Sequence, residues 1–270
     1  MLGHTIEPDS REPSDFRRRP RKRFPFLTIA LVTFVLLAWV STAPAQISSS
    51  ASSTPKPEST VSVRELQIPA KARNSLLRGV ERLRKGDTAG SLVYFNRAIQ
   101  QAPDYLGGYY HKGLAEIRLN QMNEALKSFQ QAIDLSGGHC ALAYFGYGQT
   151  LAKLGRLQDA EAVLRRGVQE DPTLPEGYVA LALVLLGEHR LNEAEASAQK
   201  ALQTTSPYAW KALLPLACVH LNRGEYPAGV QQLEAFLQHL RSDGDQGLIP
   251  PVEQTLNDLK TSLARVDSAR

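Results

Sequence analysis

Histidine and cysteine are the side chains of this protein best suited to metal binding or nucleophilic catalysis. The six histidines are scattered along the chain: His4, His111, His139, His189, His220 and His239. They form neither an HExxH motif nor a cluster with cysteine at metal-ligand spacing. His139 and Cys140 are adjacent, but adjacent residues of a helix point about 100° apart and so do not face each other. The sequence therefore predicts no metal site and no nucleophile activated by a histidine.

Two further catalytic signatures do not occur in the sequence. It contains no GxSxG nucleophile elbow and no GxxxxGK[ST] phosphate loop. The glycine pairs Gly107-Gly108 and Gly137-Gly138 are interpreted as turns between helices and not as phosphate-binding loops. We therefore expect a protein that is not an enzyme, needs no cofactor and has no small-molecule substrate.

The stretch 141–174 is the clearest structural unit in the sequence and is typical of two antiparallel helices. One face of the first helix has helical spacing i, i+3, i+4 and i+7, at Tyr144, Tyr147, Gly148 and Leu151. A turn is predicted at Gly155. The second helix is expected to end before Pro172, because a proline disfavours helical backbone at the preceding residue.

Small residues recur in this unit and in the sequence on both sides of it. Gly148 and Ala160 would allow the two helix backbones to approach closely. The first of these positions recurs at steps of 34, 35, 34 and 35, as Gly79, Gly113, Gly148, Ala182 and Ala217. The second recurs in the same rhythm, as Ser91, Ala125, Ala160, Ala194 and Gly229. A helix pair of this size buries its faces only against copies of itself, so the pattern predicts a solenoid.

This pattern resembles the tetratricopeptide repeat (TPR) family over residues 72–243. The matching residues of the second and third copies are Tyr109, Gly113, Ala125, Phe129 and Ala132, then Tyr144, Gly148, Ala160, Leu164 and Pro172. The repeats are placed at about 72–105, 106–140, 141–174, 175–209 and 210–243, within an array over 69–243. The resemblance implies an all-α, right-handed superhelical solenoid of antiparallel helix pairs that binds another protein.

In such an array the first helices line a concave groove, and two positions in each copy are expected to face it. These partner-binding positions are Leu76, Val80, Tyr110, Leu114, Phe145, Gln149, Val179, Leu183, Leu214 and Cys218. All except Gln149 are counted as apolar, which suits an apolar segment of a partner. The alternative is that several of these side chains are internal packing, or are covered by the protein's own terminal segments. A glutamate at both Tyr110 and Phe145 is predicted to abolish binding and to leave the circular dichroism native.

Cations are expected at the rim of this groove, where they would steer acidic flanks of the partner: Arg73, Arg84, Arg118, Lys153 and Lys211. TPR domains that bind acidic chaperone tails place lysine, asparagine and arginine within the groove itself. Those residue types are absent from the ten groove positions, so that activity is not expected here. The alternative for the rim cations is ordinary solvated surface.

The fifth copy departs from the pattern. Phe236 stands where a small residue is expected, and Pro215 falls inside the predicted first helix, where it should kink the helix at a cost of ~3 kcal/mol. Beyond it, residues 244–270 are predicted to form a loop and a capping helix. Apolar residues at helical spacing support this helix over 251–266: Val252, Leu256, Leu259 and Leu263.

The only cysteines, Cys140 and Cys218, are predicted to lie two repeats apart. Four helix steps of ~8–10 Å would separate them. A disulfide needs Cα atoms within ~7 Å of each other. We therefore expect both cysteines to act as small hydrophobic side chains, and they do not indicate a cellular compartment.

The N-terminal part of the chain indicates export. Residues 1–23 are predicted to be a disordered, basic, cytoplasmic leader, and residues 24–45 a hydrophobic signal peptide or membrane anchor. Cleavage is favoured by the small residues Ala43 and Ala45 and by a short apolar run; retention is favoured by the long leader and by an uncharged stretch that continues to Ala45. Both remain open. The repeats would be outside the cytoplasm, either membrane-anchored or periplasmic or secreted after cleavage behind Ala45.

Residues 46–68 follow as a linker rich in serine and proline. The leader holds 7 Lys/Arg and 4 Asp/Glu, which is a net charge of +3. Of the net charge of +4 for the whole chain, only +1 therefore belongs to the rest. This near-neutral remainder argues against nucleic-acid binding, including binding by an RNA-binding helical repeat. The leading hypothesis is a scaffold, adaptor or assembly factor for another protein. The alternative is a homo-oligomeric structural protein.

Overall fold

A computed structural model describes residues 68–243 and 247–268. The predicted leader, the hydrophobic segment and the linker up to residue 67 lie outside the described residues. Within them the chain folds into eleven α-helices and one short 3-10 helix, Ala209–Ala212. The α-helices are α1 Ala70–Arg84, α2 Thr88–Gln101, α3 Leu106–Arg118, α4 Met122–Leu135, α5 Ala141–Lys153, α6 Leu157–Glu170, α7 Pro175–Gly187, α8 Leu191–Gln203, α9 Leu213–Arg223, α10 Tyr226–Asp243 and α11 Ile249–Ser268.

Consecutive helices pack as pairs, and the pairs stack in chain order. The most extensive contacts are between α1 and α2, α3 and α4, α5 and α6, α7 and α8, and α9 and α10. Each second helix also contacts the first helix of the next pair, and first helices contact one another directly along the stack. The predicted all-α TPR-type solenoid is therefore confirmed.

Close approach at the small residues holds each pair together. A Cβ added to Gly148 would lie 2.6 Å from Cγ of Leu164 and 3.3 Å from the carbonyl oxygen of Ala160. A Cβ added to Gly113 would lie 2.8 Å from the ring of Phe129. Because these distances leave no room for a side chain, the small residues predicted from the repeat are required by packing.

The same turn ends every first helix. One residue per repeat has a left-handed backbone, with φ of 84°, 61°, 76°, 59° and 77° at Gly86, Asn120, Gly155, His189 and Gly224. The next amide N–H donates to the carbonyl five residues earlier, as from Arg190 to Leu185 at 2.9 Å. This Schellman geometry satisfies carbonyl groups at the helix end and reverses the chain.

His189 is expected to carry backbone strain at this turn, because a Cβ disfavours the left-handed region by ~1–2 kcal/mol. We predict that His189→Gly raises the free energy of unfolding by about 0.5–1 kcal/mol. Glycine relieves the backbone strain of the folded state, but part of this gain is lost because glycine also increases the entropy of the unfolded chain. Gly155→Ala, at the equivalent position with open space around the added Cβ, should lower it by ~1 kcal/mol. Urea titrations of both variants test this prediction. It would be contradicted if the free energy of unfolding changed in the same direction in both variants.

Two local predictions need correction. Gly107 and Gly108 lie inside α3 and do not form a turn, because Gly108 packs where an added Cβ would be 2.9 Å from Ile99. The pair Gly137-Gly138 does form the turn after α4, with φ of 66° and 88°. Pro215 does not kink a helix interior. The helix α9 begins only after the 3-10 helix, and Pro215 is its third residue. The N–H groups in the first turn of a helix have no partner within the helix, so the missing N–H of proline breaks no helical hydrogen bond there.

The C-terminal helix α11 covers the last pair by packing on α10. Val252, Leu256 and Leu259 are buried at the predicted helical spacing. Ion pairs join the two helices at Lys260 and Glu234, 2.6 Å apart, and at Arg241 and Glu253, 2.5 Å apart. The described part of the chain holds no helix of the length and apolar character needed to cross a membrane.

Candidate partner-binding surface

The first helices α1, α3, α5, α7 and α9 pack side by side in the same direction. One contact shows this directly: Nη1 of Arg118, at the end of α3, donates to the carbonyl oxygen of Leu83, at the end of α1, at 3.1 Å. The face of these helices that carries the ten predicted positions is called the groove face below. Its two edges are the N-terminal ends and the C-terminal ends of the first helices.

Seven of the ten predicted groove positions are buried: Leu76, Leu114, Phe145, Val179, Leu183, Leu214 and Cys218. The remaining three, Val80, Tyr110 and Gln149, are half-buried and reach the surface. These seven buried side chains are therefore part of the internal packing of the solenoid, which was the alternative interpretation. Partner binding stays a prediction, and the three half-buried positions are the ones of the predicted set that a partner can reach without displacing neighbours.

Phe145 shows why these positions are buried. Its ring fills the space next to Gly167 of α6 and Gly177 of α7, and a Cβ at Gly167 would lie 2.6 Å from the ring. A first-helix residue of the third repeat is thus inserted against the next first helix. Phe145 is 2% exposed, so a glutamate there would be enclosed by apolar neighbours, and we expect it to disturb the fold instead of leaving the circular dichroism native.

Tyr110 lies at the centre of the accessible part of the groove face. Its ring meets that of His111 edge-on at 5.1 Å and lies 6.1 Å from the ring of Phe129. Burial raises the pKa of the Tyr110 phenol, and the negative charge of Glu176 raises it further. The ring contacts of Tyr110 are thus made within its own repeat, by His111 and Phe129.

Glu176 is the site residue that the sequence reasoning did not identify. It lies in the first turn of α7, and the spacing 176, 179, 183 places it on the groove face with Val179 and Leu183. Its Oε2 is buried and has no hydrogen-bond partner. A comparison of repeats could have found it, because the equivalent positions hold Arg73, Gly107, Leu142 and Lys211, none of them acidic.

The predicted rim cations divide between the two edges. Arg84, Arg118 and Lys153 are at the C-terminal edge: Arg84 pairs with Glu81 at 3.4 Å, Arg118 is half-buried, and burial lowers the pKa of Lys153. Arg73 and Lys211 are nearer the N-terminal edge, where Arg73 is exposed and Nζ of Lys211 lies 5.0 Å from the centre of the Tyr208 ring. The C-terminal edge thus carries a run of positive charge from three consecutive repeats.

Two features of the described residues bear on metal binding and nucleophilic chemistry: the grouping of possible metal ligands, and the burial of one of the two cysteines. Residues 68–243 and 247–268 contain no group of three His, Cys, Asp or Glu side chains that could hold a metal ion. Cys218 is fully buried, and burial raises the pKa of its thiol to about 12, which keeps it protonated. The groove face combines apolar surface with the Tyr110 phenol, a half-buried carboxylate at Glu176 and an edge of cations.

Stacked helix pairs with a common turn and an accessible first-helix face define a helical-repeat scaffold of the tetratricopeptide type. A family model described as tetratricopeptide repeat matches residues 76–139 and, overlapping, 110–175. Residues 76–175 are therefore similar to tetratricopeptide repeats, and the stacked helix pairs continue the same fold from Ala70 to Asp243.

Relatives and solved structures agree with this fold. The chain is 27% identical over 159 residues to human Protein O-mannosyl-transferase TMTC3, a match covering 57% of this chain and 17% of that protein. A thermophilic TPR protein of Thermus thermophilus superposes with a TM-score of 0.61 at 19% identity, covering 70% of this chain and 99% of its own. The type IV pilus biogenesis factor PilW gives 0.57 at 16% identity, covering 72% and 99%. At these identities the two structures show the fold alone, and the chain spans less than a fifth of the human relative.

Proposed function

We propose that this protein is a non-enzymatic adaptor or assembly factor that binds a segment of another protein on its groove face. One observation carries the proposal: Val80, Tyr110 and Gln149, on three consecutive first helices, are only half-buried, although the other predicted groove positions are buried. Together with the exposed Leu142 they present apolar and hydrogen-bonding surface of the kind that a peptide segment fills.

The charge of the C-terminal edge adds a preference to this proposal. Arg84, Arg118 and Lys153 place positive charge beside the groove face, and no acidic side chain is paired with Lys153 among the described residues. Acidic residues flanking the bound segment would be attracted to this edge, and the attraction would act mainly on the association rate and its salt dependence.

The proposed location is outside the cytoplasm. Its support is the sequence of residues 17–45, in which a basic cluster precedes an uncharged apolar stretch, followed by the linker 46–68. N-terminal sequencing of the mature protein, together with membrane fractionation, tests both export and cleavage. A mature chain beginning at Met1 in the soluble cytoplasmic fraction would contradict this location.

The transferase activity named for the human relative is not part of this proposal. The match covers 17% of that protein, and the surface described here offers binding groups without a metal-binding cluster among residues 68–243 and 247–268. The proposal therefore stays with the binding of a protein segment.

Photo-crosslinking tests the groove face directly. We predict that a photo-reactive residue at Gln149 in the full-length chain crosslinks a partner protein in cells. The same residue at Gln169, exposed on the second helix of the same repeat, should not crosslink it. Equal crosslinking from the two positions would contradict a partner on the groove face.

Self-association is a second candidate, favoured by a different surface. Leu77 and Val93 of the first repeat are 61% and 57% exposed, and Leu77 lines a surface pocket with Arg82 and Tyr94. Exposed apolar surface of this kind suits a contact with a second copy. Light scattering coupled to size exclusion separates the candidates, because a monomer at micromolar concentration would eliminate self-association.

A further inference from the structure

We propose that Glu176 recognises a basic group, the side chain of a lysine or arginine, in the partner segment that occupies the groove face. This inference rests on the proposed function and names the chemistry of the occupant. Glu176 is the residue of the groove face whose polar atom is both buried and without a partner. The equivalent position of the other four repeats holds no carboxylate.

The carboxylate is poorly satisfied by the protein itself. An ionised carboxylate accepts hydrogen bonds at both oxygens, and a buried acceptor left unpaired costs ~1–3 kcal/mol. The N-terminus of α7 lowers this cost, since negative charge is favoured in the first turn of a helix. It does not supply a hydrogen bond to Oε2, which has none.

The surroundings of Glu176 suit an alkyl chain that ends in a cation. Glu176 shares the groove face with the half-buried ring of Tyr110, and an aromatic ring is a surface against which a lysine or arginine stem packs. Leu142, 39% exposed, lies at the equivalent position of the preceding first helix. An ammonium or guanidinium group of a partner would supply the hydrogen bond that Oε2 of Glu176 lacks.

In the middle of the stack the two edges of the groove face carry opposite charges, because the cations of the N-terminal edge, Arg73 and Lys211, belong to the first and fifth repeats. Glu176 lies at the N-terminal edge, and Arg84, Arg118 and Lys153 lie at the C-terminal edge, one helix of 13 residues away. At 1.5 Å per residue the two edges are separated by roughly 15–20 Å. A partner segment would therefore place its basic residue at one edge and its acidic residues at the other, and this arrangement would fix its orientation.

The test is a selection from a random-sequence peptide library with the full-length chain as bait. We expect the peptides selected by the wild type to share a lysine or arginine at one aligned position. Glu176→Gln should weaken binding of a selected peptide about a hundredfold, because it removes the charge from a buried pair. Glu176→Lys should reverse the preference, so that its selected peptides carry aspartate or glutamate there.

A matched control shows whether the loss of peptide affinity is specific to Glu176 or follows from removing any negative charge at the start of a helix. Glu124 also lies in the first turn of its helix, α4, but on an exposed second-helix face. Glu124→Gln should leave peptide affinity unchanged. Circular dichroism of the two glutamine variants should remain native, since both exchanges conserve size, and the Glu176→Lys selection is interpreted only if its circular dichroism is native as well.

Three outcomes overturn parts of the proposal separately. If the wild type selects no peptide, the proposed function fails and the inference fails with it. If peptides are selected without an enriched basic residue, or if Glu176→Gln changes affinity no more than Glu124→Gln, the inference fails and the proposed function stands. Acidic peptides selected equally by the wild type and by Glu176→Lys would show that the cationic edge alone guides binding.

Discussion

Replacing Phe145 by glutamate is expected to unfold the central repeats. The side chain is 2% exposed, and truncating a buried phenylalanine alone costs ~3–5 kcal/mol. Placing a carboxylate in the apolar space beside Gly167 and Gly177 adds a further desolvation cost of several kcal/mol. The sum approaches the whole stability of an ordinary domain, about 5–15 kcal/mol. Loss of helical circular dichroism at 25 °C and a lower urea midpoint are the expected results.

Leu142→Glu is the matched control for this experiment. Leu142 lies on the same helix, one turn before Phe145, and is 39% exposed. Glutamate is a good helix former, so this variant should change the free energy of unfolding by less than about 1 kcal/mol. If Phe145→Glu kept its helicity and unfolded at the same urea concentration as Leu142→Glu, Phe145 would have to be accessible, as the sequence predicted.

Lowering the pH is expected to destabilise the protein through His111. This side chain is 3% exposed, its ring stacks on Phe95 with centroids 5.7 Å apart, and its Nδ1 has no hydrogen-bond partner. Burial lowers the pKa of His111 to about 4. The unfolded chain, with a histidine pKa near 6.5, therefore binds a proton between about pH 6.5 and pH 4 that the folded chain does not bind. Stability is fully present above pH 6.5 and falls by roughly 3 kcal/mol as the pH falls to 4.

His111→Leu isolates this contribution. Leucine fills a similar space and does not titrate, and it removes a buried nitrogen that lacks a partner, so the variant should be as stable as the wild type or more stable at pH 7. Acidic residues titrate alike in both proteins. The measured quantity is the difference in the free energy of unfolding between the two proteins at pH 7 and at pH 4.5. A difference that does not change with pH would show that His111 is protonated in the folded protein or does not remain buried.

The repeat architecture could be predicted because its signal is local and is copied. Gly148 and Ala160 sit where the helices touch, and the same requirement recurs in each pair, so five copies reinforce one weak pattern. The C-terminal helix was predictable for a similar reason, since the spacing of Val252, Leu256 and Leu259 shows one apolar face. His189 was not recognised as a turn residue, because a histidine, unlike a glycine, is not a sequence signal for a left-handed backbone.

The candidate site was predicted less well because its exposure depends on neighbours distant in sequence. Phe145 and Gln149 are one helical turn apart on the same predicted face, yet the first is buried and the second is accessible. The difference arises because Gly167 and Gly177, from two other helices, leave space that the ring of Phe145 fills. No pattern within α5 contains that information.

The sequence by itself determined the period, the helix pairs and the small residues at their contacts, because these follow from local spacing and side-chain volume. Only the tertiary structure decided which side of each first helix is reachable, and that Glu176 has a buried oxygen without a partner. Both depend on where consecutive repeats come to lie against one another. Burial is a property of several helices at once, and the residues that create it are separated by a full repeat or more along the chain.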